Sequence, residues 1–119
     1  MKNYKQLIIW QKGIEIVKSI FLLSEDFPKT EKFGMVSQIT RAAVSIPANI
    51  AEGSSRNSEK DYSRFLQIAL GSAFEVQTYL TIAKELNWSG FEKIEMIENK
   101  LEEEIKMIQA FMKKLMANS

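Results

Sequence analysis

A chain of 119 residues with 16 Lys and Arg against 15 Asp and Glu, net charge +1, has room for one domain and one core. Zero cysteines exclude disulfides, thiolate nucleophiles and sulfur-ligated zinc, and zero histidines remove the commonest general base and metal ligand. No apolar run nears the roughly 20 residues of a membrane span, and near-neutrality gives no whole-molecule attraction to nucleic acid, so a cytoplasmic, non-membrane protein is expected.

The first predicted helix runs from about Gln6 to Glu25, with Trp10, Ile14, Val17 and Phe21 at spacings of four, three and four as its apolar stripe. Asp26-Phe27-Pro28-Lys29 ends it, because proline cannot continue the hydrogen-bond ladder and biases Phe27 away from helical torsions. A second helix is expected from Phe33 or Gly34 to Glu52, with Ile39, Ala43, Ile46 and Ile50 on its core face and a polar stripe of Arg41, Ser45, Asn49 and Glu52 beside it. Pro47 lacks an N–H and crowds the Ala43 carbonyl, which predicts a kink or break there. Asn49 is placed to satisfy backbone groups freed by that proline. Gly53 is expected to close the helix as a left-handed cap.

Ser58-Glu59-Lys60-Asp61 reads as a capping box opening a third helix. Its seam, Tyr62, Leu66, Ala69, Ala73, Val76, Leu80 and Ala83, alternates spacings of three and four, as in a near-parallel bundle. Small residues at Ala69, Gly71, Ser72 and Ala73 predict a close helix approach. Asn87-Trp88-Ser89-Gly90 forms the next turn, with Ser89 and Glu92 as a second capping box. The fourth helix spans about Phe91 to Met116 through Ile94, Ile97, Leu101, Ile105, Ile108 and Leu115. The fold class expected is all-α, an up-down-up-down antiparallel four-helix bundle formed by residues 1–119 as one domain.

A catalytic reading finds little support. A di-iron bundle needs two Glu-x-x-His pairs, the serines have no histidine to activate them, and the five glycines form no phosphate loop. Glu95, Glu98 and Glu102 share a face with Lys93, Lys100 and Lys106 interspersed, the pattern of a solvated helix. No metal, no cofactor and no enzymatic activity are therefore expected. Glu52 and Glu75 flank apolar faces and read either as a paired-carboxylate site or as structural charges held by Arg41, Arg64 or backbone donors. Residues 1 to 66 carry 10 cations against 7 acids and residues 67 to 119 carry 6 against 8. Within the first part, Arg41, Arg56, Lys60 and Arg64 gather near the turn between helices two and three. With Lys2, Lys5 and Tyr62 they form a candidate phosphate-binding patch, or else an ordinary solvated surface.

Two stretches, RAAVSIPANIAEGSSRNS from Arg41 to Ser58 and FLQIALGSAFE from Phe65 to Glu75, resemble the signature of the 23S ribosomal RNA intervening-sequence protein family, which includes the accessory variability determinants of diversity-generating retroelements. The opening YKQLIIWQKGIEIV, Tyr4 to Val17, and the turn DFPKTEKFG, Asp26 to Gly34, are also similar to it. The resemblance covers roughly three quarters of the chain and places Pro47, Asn49, Glu52, Gly53, Gly71, Ser72 and Glu75 in the shared motifs. It implies a four-helix bundle, a pentameric ring as the homo-oligomer, RNA or DNA as a ligand, and a reverse transcriptase or another protein as a partner. The reading it supports is a non-enzymatic homo-oligomeric bundle that binds nucleic acid, structured RNA first, or assists a nucleic-acid-processing partner. The alternative is a structural or protein–protein interaction module, since this chain lacks the strongly basic character of the retroelement members.

Overall fold

The structure is a computed structural model and describes residues 3–117. Its four helices are α1 (Ile8–Ser24), α2 (Met35–Ser54), α3 (Glu59–Glu85) and α4 (Phe91–Ala117). Short 3-10 turns at Tyr4–Gln6 and Lys29–Glu31 precede α1 and α2. Each helix packs on the next and α4 closes back on α1, giving the all-α antiparallel four-helix bundle that periodicity requires, 46 × 24 × 20 Å in extent.

Local chemistry sets the helix boundaries. Ser58 accepts a hydrogen bond from the Asp61 amide at 3.1 Å and opens α3. α3 closes at Asn87, whose φ of 56° is the left-handed step, with the Trp88 amide reaching back to the Ala83 carbonyl at 2.9 Å. Ser89 does not cap α4 as expected; its hydroxyl donates to Asp26 Oδ2 at 2.7 Å instead. That bond, with Lys93 on the same oxygen at 3.1 Å, ties the end of α1 to the α3–α4 turn. Both partners hold the Asp26 carboxyl below its ordinary pKa, the hydroxyl more than the ammonium.

The core faces of α2, α3 and α4 fall where their periodicities put them. Ile39, Ala43, Ile46 and Ile50 are fully buried, as are Leu66, Ala73, Val76, Leu80, Ile94, Leu101 and Ile108. Each such large side chain contributes about 1.5–3 kcal/mol by leaving water. Helix α1 differs. Its buried residues are Ile9, Gly13, Ile16, Ile20 and Leu23, one position away from the stripe picked by spacing. Trp10 and Val17 are half-buried, while Ile14 and Phe21 are 37% and 48% exposed. The helix is apolar around most of its circumference, so two adjacent stripes have the same period. The buried one carries Gly13, which lets α1 approach Pro47: a Cβ at Gly13 would lie 3.2 Å from the Pro47 Cβ.

Gly53 is not a left-handed cap. No glycine has positive φ among the described residues, and α2 runs on through Ser54. Its lack of a side chain serves the α2–α3 contact, since a Cβ there would sit 2.9 Å from both the Phe65 Cβ and the Tyr62 Cδ1. Gly71, expected at a close approach, is exposed, with nothing within 4 Å of an added Cβ. The close approach is made by Ala69, Ser72 and Ala73, all buried.

Candidate nucleic-acid interface

The polar stripe of α2 meets α3 through hydroxyls. Ser72 donates to Ser45 Oγ at 2.8 Å, and Asn49 Nδ2 donates to both the Ser45 carbonyl and its hydroxyl at 2.8 Å. Asn49 therefore does bind backbone, but at Ser45 and not at Ala43, the carbonyl that Pro47 deprives of a donor. The serine pair fixes the antiparallel register of α2 and α3. It sets Arg41, one turn before Ser45, level with Val76 rather than with the α2–α3 turn, about 20 Å away along the helix.

Glu52 and Glu75 are exposed, one at the end of α2 and the other midway along α3. Glu52 pairs with Arg56 one turn ahead, and Glu75 accepts from the Tyr79 hydroxyl at 3.4 Å. Neither finds Arg41 or Arg64, which sequence reading offered as partners. Arg64 instead pairs weakly with Asp61 at 3.6 Å, and Arg41 makes no ion pair among the described residues. The two carboxylates lie too far apart along the bundle to form one site, since the register puts Glu52 level with Phe65 and Glu75 about three turns, roughly 15 Å, further on.

Arg56, Lys60 and Arg64 do come together, on the turn and the first turns of α3, all exposed. The Arg56 guanidinium lies 4.6 Å over the Phe65 ring, which orients it above the turn. A cleft of about 540 Å³ opens beside it, lined by Ser54, Ser55, Asn57 and Ser58. Tyr62, the expected stacking residue, is only 4% exposed and packs edge-on against Phe111 at 5.6 Å, so its ring faces the core. Its phenol is held above its ordinary pKa by burial. Lys2 lies outside the described residues.

Antiparallel topology adds cations that a linear reading separates. The N-terminal 3-10 turn and the last turns of α4 come to the same end as the α2–α3 turn. Lys5, Lys113 and Lys114 are exposed there beside Arg56, Lys60 and Arg64, six cations against Glu52, Glu59 and Asp61 among the described residues. At the opposite end Lys29, Lys32, Lys84 and Lys93 face Glu25, Asp26, Glu31, Glu85, Glu92 and Glu95. The bundle is thus electrically polar along its axis although nearly neutral in total. Lys113 and Lys114 escaped the sequence reading because nothing local links them to Arg56; only the up-down topology does.

The remaining polar groups are structural in their contacts. Lys84 donates to Glu98 at 2.7 Å, which raises the lysine pKa, and Lys12 pairs with Glu103 at 2.6 Å with the same effect. Glu95 and Glu102 line a polar groove with Gln77 and Thr78. No helix among the described residues is long and apolar enough to cross a membrane.

A family model described as 23S rRNA-intervening sequence protein matches residues 5–110. Among solved structures, the chain is similar to a protein with unknown function from the S23 ribosomal protein family of Bacteroides thetaiotaomicron. The two are 28% identical with a TM-score of 0.80, the match covering 89% of this chain and 99% of that one. No curated protein sequence matches the chain.

Proposed function

The chain belongs to the 23S rRNA-intervening sequence protein family, and on that premise we propose that it is a non-enzymatic, homo-oligomeric bundle that binds structured RNA through its basic end. The observation that carries this reading is the axial charge separation, with Lys5, Arg56, Lys60, Arg64, Lys113 and Lys114 exposed together at one end. Phosphate contacts by such a cluster release condensed counterions and need no base-specific geometry. One protomer offers a weak patch; a ring of copies with parallel axes multiplies it. Support for self-association comes from exposed apolar side chains on two neighbouring helices, Ile14 and Phe21 of α1 and Val44 of α2, the last 43% exposed. Five-fold symmetry is the assembly that the family resemblance implies.

Retention of a structured RNA measured against salt tests the proposal. Affinity is expected to fall steeply as salt rises, and Arg56→Glu, Lys60→Glu and Arg64→Glu together should weaken it and flatten the slope by about one per cation removed. Arg41→Glu, about 20 Å along the helix, should leave binding nearly unchanged. No salt-dependent retention by the wild-type oligomer at low ionic strength would remove the RNA reading and leave the interaction module in its place.

A further inference from the structure

Glu104 lies on the buried seam of α4, between Leu101 and Ile108, with no exposed surface. Neither of its carboxylate oxygens has a hydrogen-bond donor. Two unpaired oxygens on a buried anion are among the least favourable arrangements a core can hold, whereas a protonated carboxyl is neutral and carries a donor of its own. The same region contains a second apparent violation. Pro47 sits inside α2 without an N–H, so the carbonyl of Ala43 loses the donor that the fourth residue along a helix normally supplies. Gly13 of α1 brings the two together: a Cβ placed there would meet Pro47 Cβ at 3.2 Å, Pro47 Cδ at 3.4 Å and Glu104 Oε2 at 3.4 Å. A carboxyl without a hydrogen-bond partner and the proline that removes a helical donor thus border one small space that only glycine leaves open.

We propose that Glu104 is a protonated structural acid that donates to the Ala43 carbonyl, replaces the donor Pro47 removes, and ties α4 to α2 across Gly13 in a pH-sensitive joint. The charged groups around it are few. From α1, Lys12 favours the anion, but that ammonium is engaged by Glu103 at 2.6 Å and is flanked by Glu15. Glu103 on α4 itself opposes ionisation. The buried face of α2 presents no titratable side chain, and that of α3 only Tyr62, which packs at Phe111 two turns further along α4. Burial dominates and pushes the Glu104 pKa up to about 8.

The consequence for pH follows from linkage. Below the ordinary value of 4.5 the carboxyl is protonated in folded and unfolded chains alike, and the tie is fully present. Between there and about 8 only the unfolded chain ionises, so the folded-to-unfolded ratio drops by up to tenfold per pH unit. Above about 8 the folded chain ionises too, the ratio levels, and the carboxylate can no longer donate to α2.

Denaturant unfolding of the whole protein across this range, with a double-mutant cycle, tests the joint. Glu104→Gln keeps shape and an N–H donor but cannot ionise, and is expected to abolish the pH dependence over the 4.5–8 window while remaining folded. Glu104→Leu removes the donor. Its effect should be smaller by about threefold or more in the folding constant when Pro47→Ala restores an N–H to Ala43. A pH dependence unchanged in Glu104→Gln, or strict additivity of Glu104→Leu with Pro47→Ala, overturns the proposal. If these variants do not fold, the side-chain carboxyl carbon of Glu104 in the wild type decides by NMR: titration in the ordinary carboxylate range overturns it, and titration near neutrality or above sustains it.

Discussion

The α2–α3 seam and the α1–α4 seam belong to the same bundle but are built on opposite principles. Between α2 and α3 the contact runs through small residues: Ser45 meets Ser72, Gly53 admits Phe65 and Tyr62, and Ala42, Ala43, Ala69 and Ala73 are buried along the two helices. The side-chain hydrogen bond that joins the two helices is neutral, from Ser72 to Ser45. Between α1 and α4 the contact is charged at its rim, with Lys12 on Glu103 and Lys100 reaching Ser19, and it hides Glu104 inside. A seam of small residues is held by proximity and tolerates no added volume. A seam with charges tolerates volume at its edge but responds to pH and salt.

The largest effect is therefore expected from adding one methyl to the first seam. Gly53→Ala puts a Cβ 2.9 Å from the Phe65 Cβ, and destabilisation by about 1–3 kcal/mol should appear in denaturant unfolding. A neutral result would mean that α2 and α3 are not close-packed at that level. Gly71→Ala, the same chemical change on the outer face of α3, meets nothing and should stabilise by about 0.5–1 kcal/mol through backbone entropy. Opposite signs for the two glycines in one thermal-melt experiment would sharpen the contrast. The smallest effect belongs to the charged seam. Lys12→Met deletes an exposed ion pair, so stability at neutral pH should scarcely move. Because Lys12 lowers the Glu104 pKa, the levelling of stability near pH 8 should shift upward in that variant.

The same contrast explains what could be read in advance. Spacing located the core faces of α2, α3 and α4 because each has a single apolar stripe set against polar neighbours. It missed the face of α1, where Ile9, Ile16 and Ile20 run beside Trp10, Val17 and Phe21, and only Gly13 marks the side that must come closest. Gly53 took the close-approach role expected of Gly71, and Gly71 faces water, for a related reason: whether a glycine closes a helix, admits a neighbour or faces water depends on a distance to another helix, which no local pattern encodes. Glu104 did leave a trace. Ile97, Leu101, Glu104 and Ile108 keep spacings of four, three and four, which puts the acid in a core position, but its place in the run Glu102-Glu103-Glu104 reads as solvated surface. Of the basic cluster, Arg56, Lys60 and Arg64 are close in the chain and could be grouped from it. Lys113 and Lys114 join them only through topology, and Arg41 departs because the serine pair sets the register.

The aromatic contacts at the two ends have an optical consequence. Trp10 stands 5.4 Å from Tyr4 at the basic end, and Trp88 stands 5.3 Å from Phe27 at the acidic end, where Asp26 and Ser89 close the latch. The chain has two tryptophans in total. Each half-buried indole thus sits in a different terminal environment, and replacing either one by phenylalanine turns the emission of the other into a reporter of a single end.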